Sequence, residues 1–162
     1  MSGAPASLSA SAPSSEASFA SGTAEFRITV ASTESAVTSI IEIVRRAMET
    51  LNLGADWISR SELALQEALL NSHLHGNCAN AAKEIRVGCI LSEADVELSV
   101  EDDGPGYHFE HPVCNIDTAA TSGRGLFLIR HMMDSVTFNE SGSGIVMSLF
   151  KEPDHGNQRD RG

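Results

Sequence analysis

Between residues 26 and 150 the apolar side chains change their spacing four times, and that alternation limits the fold more tightly than any other property of the chain. Phe26, Ile28 and Val30 alternate with polar neighbours, the pattern of a strand with one buried face. From Ser32 the spacing turns helical: Val37, Ile40, Ile41, Val44, Met48 and Leu51 form one stripe, with Gly54 as the expected stop. A second helix is expected over residues 56–75, ended by Gly76-Asn77. Alternation then returns in Ile85, Val87, Cys89 and Leu91 and again in Val96, Leu98 and Val100. The Ser92-Glu93-Ala94-Asp95 link between those runs is short enough for a hairpin. After Gly104-Pro105-Gly106 and an irregular stretch to Ser122, residues 125–134 predict a third helix with Leu126, Ile129, Met132 and Met133 on one stripe. Val136 and Phe138 begin a strand that turns at Ser141-Gly142-Ser143-Gly144 and returns over residues 145–150. The order β-α-α-β-β-α-β-β mixes helices with antiparallel hairpins. The expected class is therefore α+β: a two-layer sandwich with helices on one face of a mixed, mostly antiparallel sheet.

Composition sets the limits of that unit. Residues 1–24 hold eight Ser, seven Ala, two Gly and two Pro, with Leu8 and Phe19 the only large apolar side chains after Met1. Such a segment buries too little surface to offset the entropy of ordering it, so a disordered tail is expected there. Residues 152–162 are polar and are expected to fray, which leaves one folded domain over residues 25–151. The formal net charge is −11, from 22 acidic and 11 basic residues. A phosphate-backbone binder needs a basic stripe instead, so direct nucleic-acid binding is not expected. No apolar run is long enough to span a membrane, and the first basic residue is Arg27, so no secretory leader is indicated. Cys78, Cys89 and Cys114 form no CxxC pair, so neither a disulfide framework nor a zinc ribbon is indicated, and a reducing, cytoplasmic setting is the simplest expectation.

Three segments could carry chemistry. In Glu67-Ala68-Leu69-Leu70-Asn71-Ser72-His73-Leu74-His75-Gly76-Asn77, Glu67 and Asn71 stand at i and i+4 and project from one helical face, with His75 four further on. A carboxylate beside an amide oxygen suits a hard cation such as Mg²⁺, and the carboxylate can also act as a base toward a hydroxyl. Taken alone, such a pair is more often an ordinary solvated helix face. In Val100-Glu101-Asp102-Asp103-Gly104-Pro105-Gly106-Tyr107, carboxylates end a strand directly before two glycines. A buried carboxylate there could accept from the exocyclic amine of an adenine; the same residues also make an acidic turn. Gly123-Arg124-Gly125-Leu126 opens the last helix, where free N–H groups and the helix dipole favour phosphate. It is neither a dinucleotide fingerprint, since Leu128 occupies the third glycine position, nor a P-loop, since no Gly-Lys-Ser/Thr occurs.

In this order the three segments resemble the N, G1 and G2 boxes of the GHKL ATPase superfamily, whose domain is the Bergerat-type ATP-binding fold. EALLNSHLHGN, VEDDGPGY and SGRGLFLIRHMMDSV are most similar to the anti-sigma-factor serine/threonine kinases, and the resemblance spans residues 25–151. It implies that Asn71 holds Mg²⁺ and that Glu67 is the base toward the attacking hydroxyl. It also implies that Asp102 binds the adenine amino group and that Gly104 and Gly106 let the loop approach the nucleotide. Residues 107–122 would form a lid, and Gly123, Arg124, Gly125 and Leu126 would meet the phosphates, with His75 added from the helix. The activity implied is ATP-dependent phosphorylation of a serine or threonine on a STAS-domain anti-anti-sigma protein, with sequestration of a sigma factor when that protein is absent. Homodimers are common among such kinases.

The chain departs from the family pattern at Tyr107-His108 in place of Phe-Asp, at Gly144-Ile145 in place of Gly-Thr, and at Thr121 in place of an Arg. The alternative is a binding module whose nucleotide only gates partner affinity; Glu67 discriminates, because gating needs no base. A histidine-kinase catalytic domain is disfavoured, because no helical hairpin bearing a phosphoacceptor His precedes residue 25. His73, His75, His108, His111 and Cys114 do not complete a four-ligand zinc set.

Overall fold

A computed structural model describes residues 14–20, 22–106 and 124–151. The strands are β1 (Ser14–Ala20), β2 (Thr23–Ala31), β3 (Glu84–Ser92), β4 (Asp95–Asp102), β5 (Ser135–Phe138) and β6 (Gly144–Phe150). The helices are α1 (Glu34–Thr50), α2 (Ala55–Asn71) and α3 (Arg124–Met132), and α2 continues directly into a π-helical turn over Ser72–Gly76. The sheet order is β1-β2-β3-β4-β6-β5, and every described pairing is antiparallel.

Two-residue alternation places one side of each central strand inside. Phe26 and Ile28 of β2, Val87, Cys89 and Leu91 of β3, Leu98 and Val100 of β4, and Met147 and Leu149 of β6 are all buried. The helices cover that face with Val37, Ile40, Val44 and Met48 from α1, Leu65 and Leu69 from α2, and Ile129 from α3. This is the α+β, helices-on-one-face arrangement that the periodicity predicts. Cys89 belongs to the apolar layer as a free thiol, and burial pushes its pKa up to about 12, which leaves it unreactive.

Four local features differ from the sequence expectation. Ser14–Ala20, expected within a disordered tail, pairs with β2 from Ser14↔Thr29 to Ala20↔Thr23. Glu16, Ala17 and Ser18 are exposed. The main-chain ladder along an otherwise open edge of β2 supplies what the side chains cannot. Gly54 does not stop α1. The left-handed residue there is Asn52, at φ 54, while Gly54 has φ −61 and caps α2. Asn reaches that backbone region because its short amide bonds locally. The expected end of the second helix at His75 splits into α-helix to Asn71 and the π turn beyond, closed by Asn77 N donating to Ser72 O at 2.7 Å. Cys78 is disulfide-bonded, which cysteine spacing alone did not indicate. Among the described residues no helix is long and apolar enough to cross a membrane.

Candidate functional site

The helical half of the site is made where α2 faces the start of α3. Leu65 and Leu69 point into the core, and that burial turns the stripe bearing Glu67 and Asn71 toward α3. A Cβ on Gly125 would lie 2.8 Å from Glu67 Oε2 and 3.4 Å from the Asn71 amide nitrogen, so a side chain there would push the Glu67 carboxylate from its present place. Arg60, two turns before Glu67 on α2, holds the two helices in this relation. Its Nε donates to Met132 O at 2.7 Å and its Nη2 to Asp134 Oδ1 at 2.8 Å, so it bonds the far end of α3. Glu67 and Asn71 are half-buried, and among the described residues neither side chain has a hydrogen-bond partner. Two polar groups partly removed from water and left unmatched are suited to a ligand.

The strand half is made where β4 ends beneath the π turn. Asp102 is buried, and its Oδ1 accepts from Gly104 N at 2.8 Å. Burial pushes its carboxyl above the ordinary range, partly offset by the Gly104 N–H and the Ser72 hydroxyl. The π turn lies against it so closely that a Cβ on Gly76 would overlap the Asp102 carboxylate, and one on Gly104 would overlap the Gly76 carbonyl. Gly106 has φ +88 and abuts Ser141 O in the β5–β6 turn, so it accepts neither a side chain's backbone preference nor its volume. The glycines here let the chain approach itself.

Asn77 ties these parts together. It is fully buried; its Nδ2 donates to Glu84 O at 2.9 Å and its Oδ1 accepts from Asp103 N at 3.0 Å. The end of the π turn is thus bonded to the start of β3 and the end of β4. Asp103 points the other way from Asp102, accepting from Glu84 N at 2.8 Å and from Arg86 Nη1 at 2.7 Å. The Glu84 N–H and then Arg86 hold its carboxyl below the ordinary value. Sequence reasoning treated Asn77 as a helix stop and did not weigh Ser72, Arg60 or Arg86. Nothing in periodicity marks them, because Gly-Asn reads the same whether or not the amide reaches another strand.

Of the residues singled out from sequence, Glu67, Asn71 and Gly125 meet, and Asp102, Gly104 and Gly76 meet. His75 is half-buried in the π turn that joins the two groups. Arg124 is the exposed first residue of α3, and Leu126 packs on the core, leaving only its main chain to the site. Ile145, at a position of family departure, is buried in the sheet opposite Val100. His73 is buried against Ser32, with Nδ1 2.9 Å from its hydroxyl oxygen. Gly123, the expected lid over residues 107–122, and His108, His111, Cys114 and Thr121 lie outside the described residues.

Together these parts hold an oxygen-donor pair for a hard cation, a helix start with N–H groups that no intrahelical acceptor uses, and a buried acceptor for an exocyclic amine. Residues 30–149 match the histidine kinase-like ATPase domain. The chain belongs to that family. Curated relatives include the "Serine-protein kinase RsbW" of Oceanobacillus iheyensis, 30% identical over 99 residues, which are 55% of this chain and 63% of the relative. The "Anti-sigma F factor" of the same organism is 25% identical over 107 residues, 57% of this chain and 69% of the relative. The match thus spans less than two thirds of the first relative's length. The domain resemblance to GHKL ATPases and to anti-sigma kinases therefore stands on both the motifs and the relatives.

Proposed function

We propose that this histidine kinase-like ATPase domain is a protein serine/threonine kinase that acts as an anti-sigma factor. The observation that carries the reading is the meeting of a half-buried, unmatched Glu67–Asn71 pair with the glycine start of α3, next to the buried Asp102. Asp102 accepts the adenine amino group, oriented by the Gly104 N–H. Main-chain N–H groups of Gly125 and Leu126, the Arg124 guanidinium, and Gly123 bind the phosphates, with His75 completing the nucleotide wall from the π turn. Gly104 and Gly106 set the loop against the base. Asn71 would hold Mg²⁺, which would supply neutralising charge at the phosphates. Glu67 takes the proton of an incoming Ser or Thr hydroxyl as its oxygen bonds the γ-phosphorus. The bond to the β-phosphate oxygen breaks, and ADP leaves with that electron pair.

The acceptor is a STAS-domain anti-anti-sigma protein, and the form not engaged with it sequesters a sigma factor. The acidic surface suits the basic regions of a sigma factor. A homodimer accords with kinases of this kind. Labelled ATP incubated with the chain and each STAS-domain protein of the source organism tests the reading. Label on a STAS hydroxyl is the expected result. Nucleotide uptake with no label transferred would instead make this a nucleotide-gated binding module.

A further inference from the structure

The π turn sets a hydroxyl against the carboxylate of the strand half. Ser72, the first residue of that turn, is held along its main chain: its N–H donates to Ala68 O and Leu69 O at the end of α2, and its carbonyl accepts from Asn77 N at 2.7 Å. Successive helical residues point about 100° apart, so Asn71 faces α3 while Ser72 faces the end of β4. The Ser72 hydroxyl hydrogen-bonds Asp102, and the two residues are only 6% and 8% exposed. Gly76, four residues on, packs so near that a Cβ there would overlap the same carboxylate. Among the described residues of β6 and the turn before it, none offers Asp102 a hydroxyl. Ile145 stands where the family pattern has Thr and is buried opposite Val100. Ser143 gives its carbonyl to Asp102 N at 3.0 Å, while its hydroxyl lies 2.8 Å from that of Ser141. The charged groups around the carboxylate are Lys83, ahead of β3, which favours its ionised form, and Asp103, which opposes it. Of the histidines in the π turn, His73 is held by Ser32 and His75 is half-buried.

An ionised carboxylate only accepts hydrogen bonds, whereas a protonated one also donates. Burial favours the protonated form of Asp102; the Gly104 N–H and the Ser72 hydroxyl, both donors, favour the ionised form. The Gly104 donor is main chain and is present whatever side chains surround it, which leaves Ser72 as the side chain that bonds the carboxylate directly. A purine's exocyclic amine meets an acceptor-only carboxylate favourably, and an exocyclic carbonyl meets it lone pair to lone pair. We propose that Ser72 is a specificity-determining residue: its hydroxyl keeps Asp102 an acceptor, so that the site takes a purine bearing an exocyclic amine and rejects one bearing an exocyclic carbonyl in its place. This rests on the ATP-site reading above and deepens it. Without that hydroxyl the buried carboxyl takes up its proton at a higher pH and then donates to the carbonyl, so the discrimination narrows.

Ser72→Ala tests this, with Mg-ATP and Mg-ITP as the two probes, since inosine carries a carbonyl where adenosine carries the amine. Calorimetry measures both affinities for the full chain from about pH 8 to about pH 5, and each is compared with wild type at the same pH so that the nucleotide's own titration cancels. The expected result is a preference for ATP over ITP that is about 10-fold smaller in the variant at the acid end. ATP affinity should also begin to fall at a higher pH in Ser72→Ala than in wild type. If Ser72→Ala does not fold, Ser72→Cys, similar in size and a weak donor, is read in the same way. A preference and a pH profile within about twofold of wild type overturn the proposal and leave the ATP site standing. An equal loss of both nucleotides with an unaltered pH profile makes Ser72 a packing residue and also overturns it. If the wild-type chain takes up neither nucleotide, or takes up both equally, the reading of Asp102 as the adenine acceptor fails and the proposal with it.

Discussion

The two ends of the site are held by different means. At the strand end, the buried Asp102, Ser72 and Asn77 form a hydrogen-bonded block with Gly104, closed by the packing of Gly76, in which Asn77 alone bonds two strands. At the helix end, Glu67 and Asn71 meet Gly125 by close packing, with no hydrogen bond between them and the described protein, and Arg60 fixes the helices from a distance. A preformed polar block recognises a rigid, planar group without reorganising. Unmatched donors and acceptors are what a charged, hydrated group can complete. The contrast recurs within one dipeptide. Asp102 and Asp103 are neighbours on a strand, yet one is buried with its pKa raised and the other is bonded to Arg86 with its pKa lowered.

The contrast can be broken at either end. The largest effect is expected at the helix end: Glu67→Gln keeps the side chain's size and should slow phosphoryl transfer about 10²- to 10⁴-fold. Mg-ATP affinity should stay within threefold, as read by label transfer alongside calorimetry; an equal loss of binding would show that the carboxylate positions nucleotide instead. Asn77→Ala should lower unfolding free energy by about 3 kcal/mol in urea titration, because Glu84 O and Asp103 N are both left without partners. A change below about 1 kcal/mol would mean the block does not depend on that amide.

Asp102→Asn should weaken ATP about 10- to 100-fold through loss of the charged acceptor. Its stability at neutral pH should not fall. A carboxyl whose folded pKa is raised is penalised when ionised, and that penalty is relieved as pH drops through the folded value. The smallest effect has the opposite sign. Asp103, depressed in the fold, contributes stability that is present above its unfolded pKa of about 3.9 and is lost as pH falls through the lower folded value. Urea midpoints of wild type and Asp103→Asn should therefore converge as pH falls below about 4, and parallel curves would remove Asp103 from the account.

Side-chain spacing was enough to order the helices and strands from β2 onward. The motifs that single out Glu67, Asn71, Asp102 and the glycines as candidates are legible for the same reason, because each lies within a single segment. Spacing missed β1, since that strand is held by main-chain bonds to β2 and not by apolar side chains of its own. The roles of Arg60, Asn77 and Arg86 escaped it for a related reason: their partners lie on other elements. The π turn after Asn71 was equally hidden, because its helical spacing looks like more of α2.

Periodicity and motif chemistry, being local, settled the fold class and supplied the candidate site residues. Tertiary packing alone decided that Gly125 reaches Glu67, that Gly76 reaches Asp102, and that Gly106 reaches the β5–β6 turn. Those distances depend on how separate elements are pressed together by a shared core, and no single segment encodes them.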